Sequence, residues 1–393
     1  MTWTIIHIAD LLLWTFMAGS VAYVFVFAML STLPGRGRAD GNAAPPPAAE
    51  RENTFLILFP AYGEDSVIVR SVATFLRQDY PSEKFRVAVI SDHMRDDTNE
   101  SLAALPVTLL RPSFTASTKA KSLQHAADAC GDGYDYAVIL DADNIVRPDF
   151  LRLLNTACNR GYRAIQCHRC AKNSDNDIAV LDGISEEINN SIFRRGHNAV
   201  GLSSALIGSG MCFDYSWFRA NVNRLSTAGE DKELEALLLR QHIFIKYEAG
   251  IHVFDEKVSS KDNFQKQRKR WMTAQVQSLL SMLPHLPAAL AEGNADYIDK
   301  TVQQMLIPRS ILIVAVTFFA VLTLAAVPVW SAKWWVLLAM LAIALLTAMP
   351  GELRSRKTLA RTAAMPALVW KMLMNIKGID RNDKTFIHTK HDK

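Results

Sequence analysis

The sequence predicts an α/β nucleotide-binding domain flanked by transmembrane helices. Three observations predict it. Half of the 393 residues are hydrophobic and only 21% are charged, which excludes disordered, collagen-like and coiled-coil classes. Three stretches, residues 11 to 35, 310 to 332 and 334 to 351, contain no Asp, Glu, Lys or Arg. Between the first two, short β-rich runs alternate with helical patterns, the signature of a parallel sheet covered on both faces.

In chain order, the first charge-free stretch extends back to about Trp3. At 1.5 Å of rise per residue, about 20 apolar residues cross a bilayer core of roughly 30 Å. The stretch lacks the basic start and cleavage site of a signal peptide, so residues 1–35 are predicted to stay as an anchor. His7 and Asp10 near its outer end form either a polar intramembrane site or a contact with interfacial water. Residues 36–51, with three consecutive prolines, read as a linker.

The α/β domain is predicted over 52–262. Its strands are TFLILF (54–59), RVAVI (86–90), VTLL (107–110) and YAVIL (136–140), with helices over 65–78, 119–130 and after Pro148. Residues 263–306 read as interfacial helices and 307–351 as two further spans. Residues 352–393 read as a basic tail in which 358–376 lies along the headgroups. The net charge is +4, but ten Lys/Arg against four Asp/Glu follow residue 350, so the basic excess is a tail and not a nucleic-acid-binding face. Cations after the first and third spans put residues 36 to 306 and the tail in the cytoplasm by the positive-inside rule. Five cysteines between Cys130 and Cys212, an odd number, favour reduced thiols. Cys167 and Cys170 flank His168 without a second ligand pair at zinc spacing, and so read as structural.

In such sheets ligands bind beyond the carboxyl ends of the strands, which directs attention to the polar residues there. Asp141 and Asp143 follow YAVIL two residues apart, a spacing at which carboxylates share a hard divalent cation with a diphosphate; a solvated turn is the plain alternative. Asp92 follows RVAVI, placed to accept hydrogen bonds from a base or sugar or else to shape a turn. Glu64 in PAYGED ends the first strand, beside a nucleotide or as a helix cap. Glu230 and Asp231 open a helix, where acidic residues often only balance the dipole. A sugar transfer also needs a carboxylate to take the proton of the attacking hydroxyl, and Asp231 is assigned that role. In FQKQRKRWMTAQ, Arg270 can clamp a pyrophosphate and Trp271 can stack on a sugar ring, or the cations can lie on anionic lipid.

In this combination the sequence resembles the membrane-bound family 2 glycosyltransferases, the group of the cellulose, chitin and hyaluronan synthases. The resemblance covers roughly residues 52 to 285 and rests on four ordered signatures. These are PAYGE with Asp92, the D-A-D at 141 to 143, Glu230-Asp231, and the Q-x-x-R-W of Gln267, Arg270 and Trp271. It implies a GT-A fold, a UDP-sugar donor, Mg²⁺ or Mn²⁺, and inversion by a single displacement. Asp92 would then contact the base, Asp141 the donor and Asp143 the metal. Asp231, with Glu230 beside it, would act as base, and Gln267, Arg270 and Trp271 would hold the diphosphate and close the acceptor site. Lys121 and Arg169 fall where the family places donor-binding cations, and Gly208 and Gly210 would line the acceptor site, where glycine permits close backbone approach.

The function so implied is transfer to a lipid-linked or growing glycan acceptor in polysaccharide biosynthesis at the inner membrane. Membrane lipids are expected as partners, with a second copy or export proteins as further ones and no nucleic acid. A processive synthase that extrudes its polymer is the alternative, but three spans and one interfacial helix are few to wall a channel.

Overall fold

A computed structural model describes residues 2–33, 51–174, 176–227, 229–258 and 260–354. The expected linker and the tail with its helix at 358–376 fall almost wholly outside them. The chain begins with α1 (Thr2–Leu30) and enters the domain through β1 (Phe55–Tyr62), α2 (Ile68–Phe75), β2 (Phe85–Asp92), α3 (Asp96–Ala103), β3 (Thr108–Leu110), α4 (Lys119–Cys130) and β4 (Tyr136–Ile139). There follow β5 (Ile145–Val146), α5 (Phe150–Asn159), β6 (Ala164–Ala171), α6 (Asp177–Asn189), a π-helical stretch Asn190–Gly196, α7 (His197–Ala199), β7 (Met211–Asp214), α8 (Tyr215–Val222), α9 (Glu230–Arg240) and β8 (Ile245–Asp255). The chain then forms α10 (Lys261–Met282), α11 (Leu286–Glu292), α12 (Ala295–Met305), α13 (Arg309–Ala326) and α14 (Pro328–Ala348).

The strands form one eight-stranded sheet in the order β3-β2-β1-β4-β7-β6-β8-β5. The apolar runs of β1 and β2 bury both faces. Phe55, Ile57 and Phe59 pack with α2 and α5 on one side, and Leu56 and Leu58 pack with α4, α8 and α9 on the other. The expected parallel sheet is corrected at β7, which runs antiparallel to both β4 and β6. The reason is topological: β6 ends at the edge where ligands bind, and α6, the π stretch and α7 never recross the sheet. β7 therefore starts from that edge and must run back.

The helices α1, α13 and α14 are each long and apolar enough to cross a membrane. They share a third core with the domain, in which Val21, Val24 and Ala28 of α1 and Leu312 and Val316 of α13 meet Ile184 and Ile188 of α6 and Ile192. Phe27 stacks on His197 with ring centroids 3.8 Å apart. The Tyr23 hydroxyl donates to Asp299 at 2.8 Å and lies 2.7 Å from His197 Nε2. A side chain at Gly196 would collide with the Phe27 carbonyl, so glycine is what lets α1 approach here. At the other end of α1, Asp10 pairs with Lys333 and accepts from Trp334 Nε1 at 2.9 Å, while the His7 ring lies 4.3 Å from that of Trp330. His7 and Asp10 thus both dock on α14.

Candidate active site

The carboxyl ends of β1, β2 and β4 open into one cavity of about 850 Å³. After β1, Gly63 takes φ +62° and donates its N–H to the Asp92 carbonyl at 3.1 Å, which folds Glu64 over the strand ends. Asp92 is buried and meets Nδ1 of His93 at 2.6 Å. His93 itself sits at φ 54°, a left-handed conformation that costs a non-glycine residue free energy and recurs at functional sites. Asp143 is buried, and its Oδ2 accepts the N–H of Glu256 at 2.7 Å, so the end of β8 fixes the second carboxylate of the D-A-D.

Lys119 joins the strand ends to α9. Its ammonium pairs with Asp141, donates to the Gly208 carbonyl at 2.7 Å and lies 3.4 Å from Glu230. Burial opposes its charge, but Asp141 and Glu230 outweigh that and hold it up at about 12. Burial pushes the Glu230 carboxyl up to about 7; Lys119 works against this, while Asp231 and Asp141 add to it. Gly208 sits at φ +80°, a conformation that a side chain would strain, within ordinary contact distance of Lys119 and Glu230.

Lys121, expected to bind the donor, does not line this cavity, and the helix geometry gives the reason. Thr118 caps α4 by accepting from Lys121 N, so Lys119 and Lys121 stand two positions apart in the first turn. At about 100° per residue they face nearly opposite ways. Lys121 donates instead to the Ala116 carbonyl at 2.6 Å on the exposed side. Gly210 is also absent from the cavity wall. At φ +63° it lets β7 pack on Val253, whose Cγ2 would lie 2.9 Å from an added Cβ.

The opposite wall comes from α9 and α10. Glu230 and Asp231 open α9 as read from sequence, and the Q-x-x-R-W lies inside α10. Gln275 fastens α10 to the end of α12, donating to the carbonyls of Gln304 (3.1 Å) and Leu306 (2.9 Å). Arg268 pairs with Asp182 at 2.6 Å and lies 4.5 Å over the Trp271 ring. Behind the strand ends, Glu186 holds Arg169 (3.0 Å) and Arg194 (3.1 Å). Burial would raise the Glu186 carboxyl, but those two guanidiniums and Lys257 hold it well below the usual carboxylate range.

Glu64, Asp92, Asp141, Asp143, Arg169, Gly208, Glu230, Asp231, Gln267, Arg270 and Trp271 therefore all line the same cavity. The sequence reading missed Lys119, Arg194, Arg268 and Arg309, which line it too. Among the described residues, seven buried side-chain atoms lack a hydrogen-bond partner, and five of them belong to cavity-lining residues: Ser117 Oγ, Arg169 Nε, Gln267 Oε1, Arg268 Nε and Gln303 Oε1. Native interiors leave few such atoms unpaired, so their concentration here marks a polar surface that water or a polar ligand satisfies. A group of acids facing a cation-lined space of this size can bind a nucleotide sugar and take a proton from an acceptor.

Residues 136–347, more than half of the chain, match the profile of the glycosyl transferase family group 2. The chain belongs to this family. The glycosyltransferase has the GT-A fold, a likeness borne by the mannosyltransferase PcManGT from Pyrobaculum calidifontis, solved with GDP-Man and Mn²⁺. That structure is 16% identical, aligns over 86% of this chain and 96% of its own, and gives a TM-score of 0.53. TarS from S. aureus aligns at 12% identity over 83% of this chain and 54% of its own, with a TM-score of 0.43. Glucosyl-3-phosphoglycerate synthase from Mycobacterium tuberculosis, solved with Mn²⁺ and UDP, aligns at 16% identity over 63% and 87%, with a TM-score of 0.41. No curated protein matches this glycosyltransferase in sequence.

Proposed function

We propose that this glycosyltransferase is a metal-dependent, inverting enzyme of the inner membrane. It moves a sugar from a UDP-sugar to a lipid-linked or growing glycan acceptor in polysaccharide assembly, with its α/β domain in the cytoplasm. The observation that supports this best is that one cavity is lined by Asp141 and Asp143 from the sheet, Asp231 from α9, and Gln267, Arg270 and Trp271 from α10.

The donor set suits a hard divalent cation. Among the described residues no three His, Cys, Asp or Glu side chains form a ready cage. Mg²⁺ and Mn²⁺ in phosphate-binding sites need only one or two carboxylates, the rest of the shell coming from water and phosphate oxygens. Asp143, fixed by the Glu256 N–H, would hold the ion with help from Asp141. When bound, the ion neutralises charge on the departing diphosphate. Arg270 and the unpartnered Gln267 Oε1 face the donor, and Trp271 covers the acceptor sugar.

Asp231 takes the proton of the acceptor hydroxyl as its oxygen attacks the anomeric carbon. The bond from that carbon to the diphosphate oxygen breaks on the opposite face, its electron pair leaving with UDP, so configuration inverts. No second carboxylate nucleophile is needed. The test is release of UDP or GDP from a panel of nucleotide sugars by the full chain with Mn²⁺ or Mg²⁺. Asp143→Asn and Asp231→Asn must each lower release by ~10²-fold or more while remaining folded; unchanged turnover in either removes these assignments.

A further inference from the structure

The cavity changes character along its length. Between the strand ends and α9 its wall is acidic and polar, whereas α13 and α14 contribute the apolar side chains Ile313, Val314, Ala342, Leu345 and Leu346. These belong to two of the helices apolar enough to cross a membrane. Two guanidiniums stand at the junction. Arg309, the first residue of α13, donates to Asn189 Oδ1 at 2.7 Å and to the Ser185 carbonyl at 3.2 Å. Both acceptors are neutral, and among the described residues no carboxylate pairs with Arg309. Arg268 has Asp182 as its carboxylate partner, yet its Nε is buried with no hydrogen-bond acceptor. Arg309 is thus a half-buried cation with only neutral hydrogen-bond partners, and Arg268 keeps one unfilled donor, so an anion at the junction would satisfy both.

We propose that the acceptor is an amphiphile that carries a phosphate on a hydrocarbon chain, with its phosphate on Arg309 and Arg268 and its chain against α13 and α14. This rests on the reading of the cavity as the site of sugar transfer, and it selects one of the two acceptor classes named there. Guanidinium groups match phosphate oxygens in paired, charge-assisted hydrogen bonds, and a neutral glycan brings no charge to such a pair. The side chains of Ile313, Val314, Ala342, Leu345 and Leu346 offer no partners to sugar hydroxyls, whereas a hydrocarbon chain gains by leaving water against them. With the phosphate at the junction, groups on its far side face Asp231 while the chain stays at the level of the bilayer.

The test uses the full chain in detergent without nucleotide, and measures binding of dodecyl phosphate, dodecanol and inorganic phosphate by thermal shift and by direct titration. Dodecyl phosphate should bind more tightly than either of the others, and Arg309→Gln should weaken it about tenfold. Ala342→Trp, which adds bulk on the exposed face of α14, should weaken dodecyl phosphate and leave inorganic phosphate unaffected; it carries the test if Arg309→Gln does not fold. UDP binding in the same samples reports that each variant is folded. Equal binding of dodecanol would reduce the site to an apolar slot. Equal binding of inorganic phosphate would reduce it to part of the donor's diphosphate site, and an unaltered affinity in both variants would remove it altogether. Any of these with nucleotide-sugar turnover intact overturns this inference alone, whereas absent turnover overturns the proposed function instead.

Discussion

Asp141 and Glu230 share the ammonium of Lys119, and through that one group the strand-end half of the site is locked to its helical half. Lys119→Met removes the cation from between carboxylates that then repel one another. Sugar transfer by this variant should fall by about 100-fold, the scale of losing one preorganised electrostatic contact. Lys121→Met, on the exposed side of α4, should keep turnover within about twofold, since surface changes away from a site seldom exceed ±0.5 kcal/mol. Steady-state release of the nucleotide diphosphate by the two variants checks this, and equal losses would mean that the cavity is not where the chemistry occurs.

Glu230 gives a pH signature. Burial raises its carboxyl from 4.5 to about 7, so between those values the folded chain binds a proton that the unfolded chain has released. Stability therefore falls as pH rises through that window. Glu230→Gln keeps the neutral form at all pH values. Its melting temperature should exceed that of the parent by a few degrees at pH 8 and match it at pH 5. A constant offset across that range would show that Glu230 is ionised throughout.

Metal dependence and product length test the reaction itself. EDTA should stop sugar transfer, and Mn²⁺ or Mg²⁺ should restore it in the parent but only at higher concentration in Asp143→Asn. Mass measurement of the product should show a single added sugar. A ladder of polymer lengths would instead favour the processive alternative.

Gly196→Ala tests the seam between α1 and the domain. The new Cβ meets the Phe27 carbonyl, which must move, and overpacking of this kind costs about 1–3 kcal/mol. Tyr23→Phe, which removes the hydroxyl bonded to Asp299, should cost about 1 kcal/mol. Both are read from thermal unfolding in detergent, where protease cleavage between the first span and β1 serves as a second probe.

Much of the fold was legible because its signals are local. The apolar run of β1, the cap and helix of α4, and the charge-free spans each carry their pattern within a few residues, and α4 begins and ends where its sequence says. The strand β6, AIQCHRCA, was not legible, because its polar residues are satisfied only by distant partners such as Tyr247, Glu186 and Glu187. The π-helical stretch had no signal either, since its register follows from docking on α1. The acidic residues of the site were found because acids after buried strands are conspicuous. Lys119 was missed in favour of Lys121 because the resemblance pointed to Lys121, and which side of the first turn meets the cavity is set by how α4 packs on the sheet; Arg309 was missed because a charge at the edge of a span reads as a boundary marker and not as part of a cavity.

The seam at Gly196 has a practical consequence. Val24 of α1 is itself part of the cavity wall, and Tyr23 and Phe27 grip the segment that carries Arg194. The helix α1 is therefore a component of the catalytic body and not a leash. Trimming the helix to obtain a soluble enzyme would open its flank and strip the support from its back, so attempts at expression are better directed to the intact chain in lipid or detergent.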